Sequence, residues 1–414
     1  MAMSEELKMI MRVNSVFTPA APIRERDLFA GRVEQITSVV DAVVVPGRHV
    51  IMYGERGVGK TSLANIMDEL LPERFTVSVR ADTSDTYDSL WRKAFRRITL
   101  SHEQTSTGFA RDAEVVDVPL STALPTDTTL VPHDVVSLLA ALDRPMIIII
   151  DEFDRVVDEA TKTTLADTIK ATSDTLPLVT IVIVGVAGTV NELIGEHPSI
   201  ERNMSQIKLP RMTGAELREI VEKGLEILEM SIKDDAMASM TWLSQGFPHF
   251  AHLLANYSAK EALKHDRNEI LWADLAIAIE EALEDSQESI RNAYHRATIA
   301  SRKETLFPNV LLAAALAEQD EFGTFRATDM LPPLARLTGK EVKVPQFAYH
   351  LGKLSSAERG KILEKVGTPK RSRYRFSNAL MQPFIVVKGV SEGLVEAMVP
   401  GAKAAEGDTD ATAK

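Results

Sequence analysis

His49-Val-Ile-Met-Tyr-Gly54, Glu55-Arg-Gly-Val-Gly-Lys-Thr-Ser62 and Leu63-Ala-Asn-Ile-Met-Asp-Glu-Leu70 together decide the fold. The first run is short, apolar and rich in β-branched residues, which predicts a strand ended by Gly54. The third has helical spacing. Between them lies a G-x-x-x-x-G-K-T loop, in which glycines let backbone N–H groups turn inward around phosphate and the helix N-terminus adds partial positive charge. Lys60 is placed to reach the β- and γ-phosphates, and the Thr61 hydroxyl to coordinate Mg²⁺. The whole loop, Gly54, Glu55, Arg56, Gly57, Val58, Gly59, Lys60, Thr61 and Ser62, is expected to grip ATP.

A second element serves the same phosphate. Arg144-Pro145 precedes Met146-Ile-Ile-Ile-Ile150, then Asp151-Glu152-Phe153-Asp154. Five apolar residues without alternation suit a parallel strand buried on both faces. Carboxylates at its C-terminal end stand where open α/β sheets bind ligands. Asp151 is expected to hold magnesium through water, and Glu152 to act as general base toward the attacking water, with Asp154 as the next candidate. Further strands are predicted at Phe75–Ala81, Val179–Val186 and Ser205–Leu209, with helices at Tyr87–Thr99, Asp134–Leu142 and Asp154–Asp174. The alternation implies an α/β fold with a parallel, doubly wound sheet. The Thr-rich segment 101–131 is expected to be an inserted loop or hairpin.

A chain of 414 residues calls for two or three domains. It has no cysteine, which excludes disulfides and thiolate metal sites, and its net charge of −12 argues against a broadly basic nucleic-acid surface. The longest apolar runs are far below the roughly 20 residues that span a bilayer. Glu5 and Glu6 precede any apolar segment, so the N-terminus does not resemble a signal peptide. No membrane contact is expected, and a cytoplasmic location is. One basic patch stands out: 355–388 holds eight Lys/Arg against two Glu, a local +6.

The chain resembles an AAA+ ATPase, nearest the replication-initiator (origin-recognition-like) and STAND signalling branches, over about residues 15–390. Phe17-Thr-Pro19 and Leu28-Phe-Ala-Gly31-Arg32 resemble the family's adenine-side box, which places Phe17 and Arg32 at the nucleotide. Arg202, in Ser199-Ile-Glu-Arg-Asn203, falls where the family has its catalytic arginine finger; its other reading is a surface pair with Glu201 or Glu196. Gly246-Phe-Pro-His249 resembles the sensor-2 region or the Gly-x-Pro of STAND proteins, so Pro248 and His249 are expected at the nucleotide, the other reading of His249 being a packed histidine of the lid. The initiator-type sensor-2 arginine is replaced here by His249. At sensor 1 the chain reads Val186-Ala-Gly-Thr189, leaving Thr189 as the only stand-in or else a helix N-cap.

Thr213-Gly-Ala-Glu216 is a capping box opening a helix to Glu229, and helical runs at Met240–Leu263 and Ile270–Ala297 complete the lid that the resemblance implies. Helices at Val310–Ala317, Thr328–Leu337 and Val344–Leu354, then a hairpin over Gly360–Val366 and Ser372–Ser377, resemble a winged helix. The expected domains are 1–212 for nucleotide binding, 213–300 for the lid, 301–390 for the winged helix and 391–414 for a disordered tail. Lys370, Arg371, Arg373 and Arg375 crowd the wing, where they suit phosphate contacts with double-stranded DNA or a solvated surface that meets protein. The resulting expectation is an Mg²⁺-dependent ATPase, slow if its sensors are weak, whose ATP or ADP state gates that contact. The resemblance also implies a partner protein and a homo-oligomer if Arg202 acts in trans. The alternatives are a STAND-like switch that relays its state to a partner without DNA, and a loader for a DNA-processing enzyme.

Overall fold

The computed structural model describes residues 5–19, 22, 30–105, 113–124, 127–142, 144–186, 193, 202–286, 288–299, 306–320, 323–367 and 372–396. Its centre is a five-stranded, all-parallel sheet: β1 (His49–Gly54), β2 (Phe75–Arg80), β5 (Met146–Asp151), β6 (Val179–Val186) and β7 (Met204–Lys208), in the order β2-β5-β6-β1-β7. β1 pairs with β6 and β7, neither adjacent to it in sequence, so the chain switches sides at β1 and the loop after Gly54 opens at that switch point.

The apolar runs are continuous because both sheet faces are covered. Val50, Met52, Ile147, Ile149, Val182 and Val184 face one core, while Ile51, Ile148, Ile150, Ile181 and Ile183 face the other. The second core is closed by α5 (Tyr87–Arg96), α6 (Pro132–Ala141) and α7 (Glu159–Thr175), with Trp91 and Phe95 buried between them. The first is closed by α1 (Glu5–Val16), α2 (Val33–Val44), α3 (Lys60–Asn65) and the helices that follow the sheet. α7 begins at Glu159, not Asp154, because Asp158 caps it by accepting N–H from Ala160 and Thr161. Within 101–131 the chain forms an antiparallel hairpin of β3 (Thr99–Thr105) and β4 (Ala113–Pro119).

Helical residues follow: α4 (Met67–Leu70) extends α3, and after the sheet come α8 (Gly214–Ile227), α9 (Asp234–Leu243), α10 (Pro248–Lys264), α11 (Trp272–Asp285) and α12 (Glu288–Thr298). Thr213 and Glu216 cap α8 reciprocally, as the sequence pattern predicts. The two long helical runs expected at 240–263 and 270–297 are each broken, at the Gly246-Phe247-Pro248 turn and at Ser286. β8 (Ser231–Ile232) and β9 (Glu269–Ile270) form a short parallel pair beside them.

The C-terminal part contains α13 (Phe307–Leu316), α14 (Leu331–Thr338, entered through a 3-10 turn), α15 (Val344–Leu354) and the hairpin of β10 (Leu363–Val366) and β11 (Arg373–Phe376). Phe325 bridges Tyr374 as a third extended segment. A helix that the sequence pattern does not announce, α16 (Met381–Ser391), packs against α11, α12 and α13. It ends the segment expected as the winged helix and takes in only Ser391 of the expected tail, whose residues from 397 lie outside the described residues.

Candidate functional site

At the C-terminal ends of β1, β5 and β6 a cavity of about 820 Å³ opens. That is within the range of small-molecule sites. The loop after β1 makes its floor. Gly54 must lack a side chain because a Cβ there would come within 2.3 Å of the Leu209 carbonyl, and Gly57 turns with φ +87°. Arg56, Gly57, Gly59, Lys60, Thr61 and Ser62 line the cavity. Val58 is buried behind the loop.

The Lys60 ammonium is buried and folded back, donating to the Gly54 carbonyl at 3.0 Å and the Glu55 carbonyl at 2.6 Å. Burial pushes its pKa down to about 8, a shift partly offset by Asp154, Asp151 and Glu55. The Thr61 hydroxyl donates to Asp151 Oδ2 at 2.9 Å, which joins the two motifs read from sequence. Burial raises the Asp151 pKa, against the pull of the Glu152 N–H and Thr61. Among the described residues no group of three or more His, Asp or Glu could cage a metal. A hydroxyl and one carboxylate at a phosphate loop nonetheless fit Mg²⁺, which keeps much of its water.

Glu152 sits in the left-handed region at φ +55°, a strained setting for a residue with a side chain. Two arginines hold its carboxylate: Arg155 at 3.0 Å and Arg80 at 3.5 Å. Both line the cavity. Asp154 also lines it, but its Oδ1 already accepts the Val186 N–H at 2.8 Å, so it is less free to act as a base than Glu152. Arg80 was not legible as a site residue, because nothing local in sequence brings the end of β2 to the end of β5; Arg155, three residues from Glu152, is local but belongs to no pattern that the sequence reading used.

The adenine-side expectations are redistributed. Thr18, Pro19 and Pro22 line the cavity, while Phe17 is fully buried behind them, edge-on to His252 at 6.0 Å between ring centres. Arg32 is also buried, behind the loop, and donates to the carbonyls of Val58 at 2.9 Å and Pro210 at 2.5 Å. It braces the loop from behind. Pro248 and His249 line the cavity, with His249 Nδ1 2.7 Å from the Pro19 carbonyl. Arg202 is exposed, is not among the residues that line the cavity and meets no carboxylate among the described residues. Thr189, Glu196, Glu201, Lys370 and Arg371 lie outside the described residues. Arg373 and Arg375 are engaged within the chain. Arg373 pairs with Asp320 at 3.1 Å and donates to Thr324, and Arg375 pairs with Glu364 at 3.0 Å.

One connection was absent from the sequence reading. Arg211, just past β7, binds Glu55 of the loop at 2.5 Å, donates to Gln382 of α16 and lies over the Phe247 ring at 4.5 Å. Gln382 passes on to the Ala315 carbonyl at 2.8 Å. Leu380, just before α16, lines the cavity and would lie 2.9 Å from a Cβ at Gly57. Residues more than 300 positions downstream thus complete the phosphate loop.

Residues 28–183 match the family model described as AAA ATPase domain, which bears out the resemblance over that segment. No curated protein matches the chain by sequence. Among solved structures, a Walker-type ATPase of Pyrococcus abyssi is similar at 16% identity and a TM-score of 0.51, covering 89% of this chain and 99% of that one. The Aeropyrum pernix ORC1 protein in complex with DNA gives 14% identity and a TM-score of 0.46, over 90% and 95%. The Thermotoga maritima RuvB Holliday junction branch migration motor gives 17% and 0.44, over 86% and 95%. The first of these likenesses supports the fold. No helix among the described residues is long and apolar enough to cross a membrane.

Proposed function

We propose, from a chain whose residues 28–183 match an AAA ATPase domain, that the protein hydrolyses ATP and passes its nucleotide state to its C-terminal part. One observation carries the reading: the 2.9 Å contact of Thr61 with Asp151 opens on the same cavity as Lys60 and Glu152. Thr61 and Asp151 would hold Mg²⁺. The bound ion supplies charge neutralisation of the phosphates. Lys60, now satisfied by loop carbonyls, swings to phosphate and regains full charge there. Glu152 orients water and takes its proton once released from Arg80 and Arg155. Arg202, exposed and unpaired among the described residues, suits action on a neighbouring copy's nucleotide.

Glu152→Gln is expected to keep ATP affinity and slow turnover at least tenfold, because the amide matches the carboxylate in size but takes no proton. Calorimetry and phosphate release measure the two quantities. Unchanged turnover would remove Glu152 from the chemistry.

For the C-terminal part, three helices, the Phe325 segment and the hairpin follow the order of a winged helix, and residues 301–390 are proposed as that domain. A protein partner without duplex DNA, the STAND-like alternative, is favoured by the internal engagement of Arg373 and Arg375.

A further inference from the structure

The strands of the parallel sheet all begin at the end opposite the cavity, and four of the five are entered through an arginine. Arg74 precedes Phe75 of β2, Arg144 stands two residues before β5, Arg48 precedes His49 of β1, and Arg202 stands two residues before β7. β6 is entered instead through Leu178, which is 49% exposed. Backbone hydrogen bonds set these entries side by side. The Phe75 N–H donates to the Pro145 carbonyl at 2.9 Å, and the Met146 N–H to the Leu178 carbonyl at 3.0 Å. The Gly47 N–H donates to the Pro177 carbonyl at 3.0 Å, and the His49 N–H to the Asn203 carbonyl at 2.7 Å. In strand order the row reads Arg74, Arg144, Leu178, Arg48, Arg202, and at about 4.8 Å per strand it runs for about 19 Å.

The charges in this row are unmatched. The chain has 59 acidic residues against 47 lysines and arginines, and arginines elsewhere meet them: Arg92 pairs with Asp88, Arg211 with Glu55, Arg267 with Asp274 and Arg375 with Glu364. Among the described residues none of the four arginines in the row forms an ion pair, although Glu73 adjoins Arg74 in the chain. Nor do they cap helix C-termini, where cations are ordinarily favoured. Arg74 donates to the Leu178 carbonyl at 3.1 Å, and Arg144 lies over the Phe75 ring at 3.7 Å. Arg48 and Arg202 are exposed, and Arg74 is half-buried. Arg144 has Nε and Nη2 enclosed, so it adds charge to the row more than contact.

We propose that this end of the sheet docks an acidic segment of a partner protein, one that carries an apolar residue among its carboxylates. The guanidinium fork matches a carboxylate with two parallel hydrogen bonds. Leu178 stands inside the row, and Val44 and Val45, 49% and 41% exposed, lie just before Arg48. Apolar groups set among cations fit the mixed side chains of a peptide and have nothing to meet along a phosphate backbone. The net −12 also opposes the denser charge of a nucleic acid. Because this face and the cavity lie at opposite ends of the strands, the inference stands apart from the nucleotide reading.

The test measures fluorescence anisotropy with the full chain and a short fluorescein-labelled peptide of glutamates around a central Leu-Leu pair. An all-glutamate peptide and a single-stranded DNA of equal charge serve as comparisons. The parent is expected to bind the Glu–Leu peptide more tightly than either comparison, with an affinity that falls as salt rises. Arg48→Glu should weaken that binding at least about tenfold. Leu178→Ala should weaken the Glu–Leu peptide about fivefold and leave the all-glutamate peptide unchanged. Both variants should keep the parent's circular dichroism, since each side chain is largely exposed. Arg202 is left unchanged because of its role toward a neighbouring copy's nucleotide. A parent without salt-sensitive binding of the Glu–Leu peptide, or an Arg48→Glu variant that binds it as the parent does, overturns the proposal. Tighter binding of the DNA, lost in Arg48→Glu, would overturn it in favour of a nucleic-acid surface. Salt-sensitive self-association in sedimentation, lost in the same variant, would instead assign the face to a second copy of the chain.

Discussion

Lys60 shows how the site is prepared at the level of single residues. Its ammonium is buried against loop carbonyls and titrates near 8, while a lysine in the unfolded chain stays charged to well above that. Between those two values folding favours the neutral form, so this group's contribution to stability rises with pH across the interval and is smallest below pH 8. Phosphate acts in the opposite direction by favouring the charged form. ATP binding at pH 8.5–9 is therefore expected to take up a fraction of a proton and to weaken as pH rises further. Calorimetry in buffers of different ionisation enthalpy reads that uptake directly, and Lys60→Ala should abolish both the uptake and measurable binding. Equal heats in all buffers would show that Lys60 is already charged in the free protein.

Glu152 is the other residue held in waiting, strained at φ +55° and paired with Arg80 and Arg155. Arg80 is substantially exposed, so its pair with Glu152 is a weak one, of a size worth about two- to fivefold in an equilibrium. Arg80→Ala should raise basal ATP turnover by about that factor, read as steady-state phosphate release. A fall in turnover would place Arg80 on the nucleotide rather than on the glutamate. Arg80 was not visible in the sequence as a site residue. It meets Glu152 from another strand, and local patterns carry no trace of such a neighbour.

At the scale of elements, the strand–loop–helix around Lys60 and the buried strand before Asp151 were legible because their chemistry is local. Glycines at fixed spacing and an unbroken apolar run leave few other structures open. α16 was not legible for the opposite reason. Met381, Gln382, Pro383 and Phe384 through Val387 are buried all round, so the run has no polar face to show a helical period. The same helix supplies Gln382, which with Glu55 and Phe247 surrounds Arg211. Arg211→Met should cost about 1–3 kcal/mol of stability through the lost charged hydrogen bonds. It should also reduce the amide-exchange protection that ATP confers on α16. If ATP protects α16 equally in mutant and parent, the loop and the helix are not coupled through this arginine.

For the whole molecule the decisive quantity is where the free charge lies. The net −12 is unfavourable to nucleic acid, and two of the four cations at the β10–β11 hairpin, Arg373 and Arg375, are spent on Asp320 and Glu364. Replacing both with Ala should lower the melting temperature but change duplex affinity less than twofold at any salt concentration, as measured by fluorescence anisotropy with ATP and with ADP. A flattening of the salt dependence by about two units of slope would return both arginines to phosphate contact and restore the DNA reading.

Leu380 against Gly57 and Gln382 against Arg211 also set an order in time. During synthesis the phosphate loop leaves the ribosome more than 300 residues before the segment that finishes its wall. A nascent chain therefore carries a sheet able to form early beside a binding site still open on one side. The cavity wall is complete only after the α16 segment has been translated and has docked, so the site is among the last features of the chain to be finished.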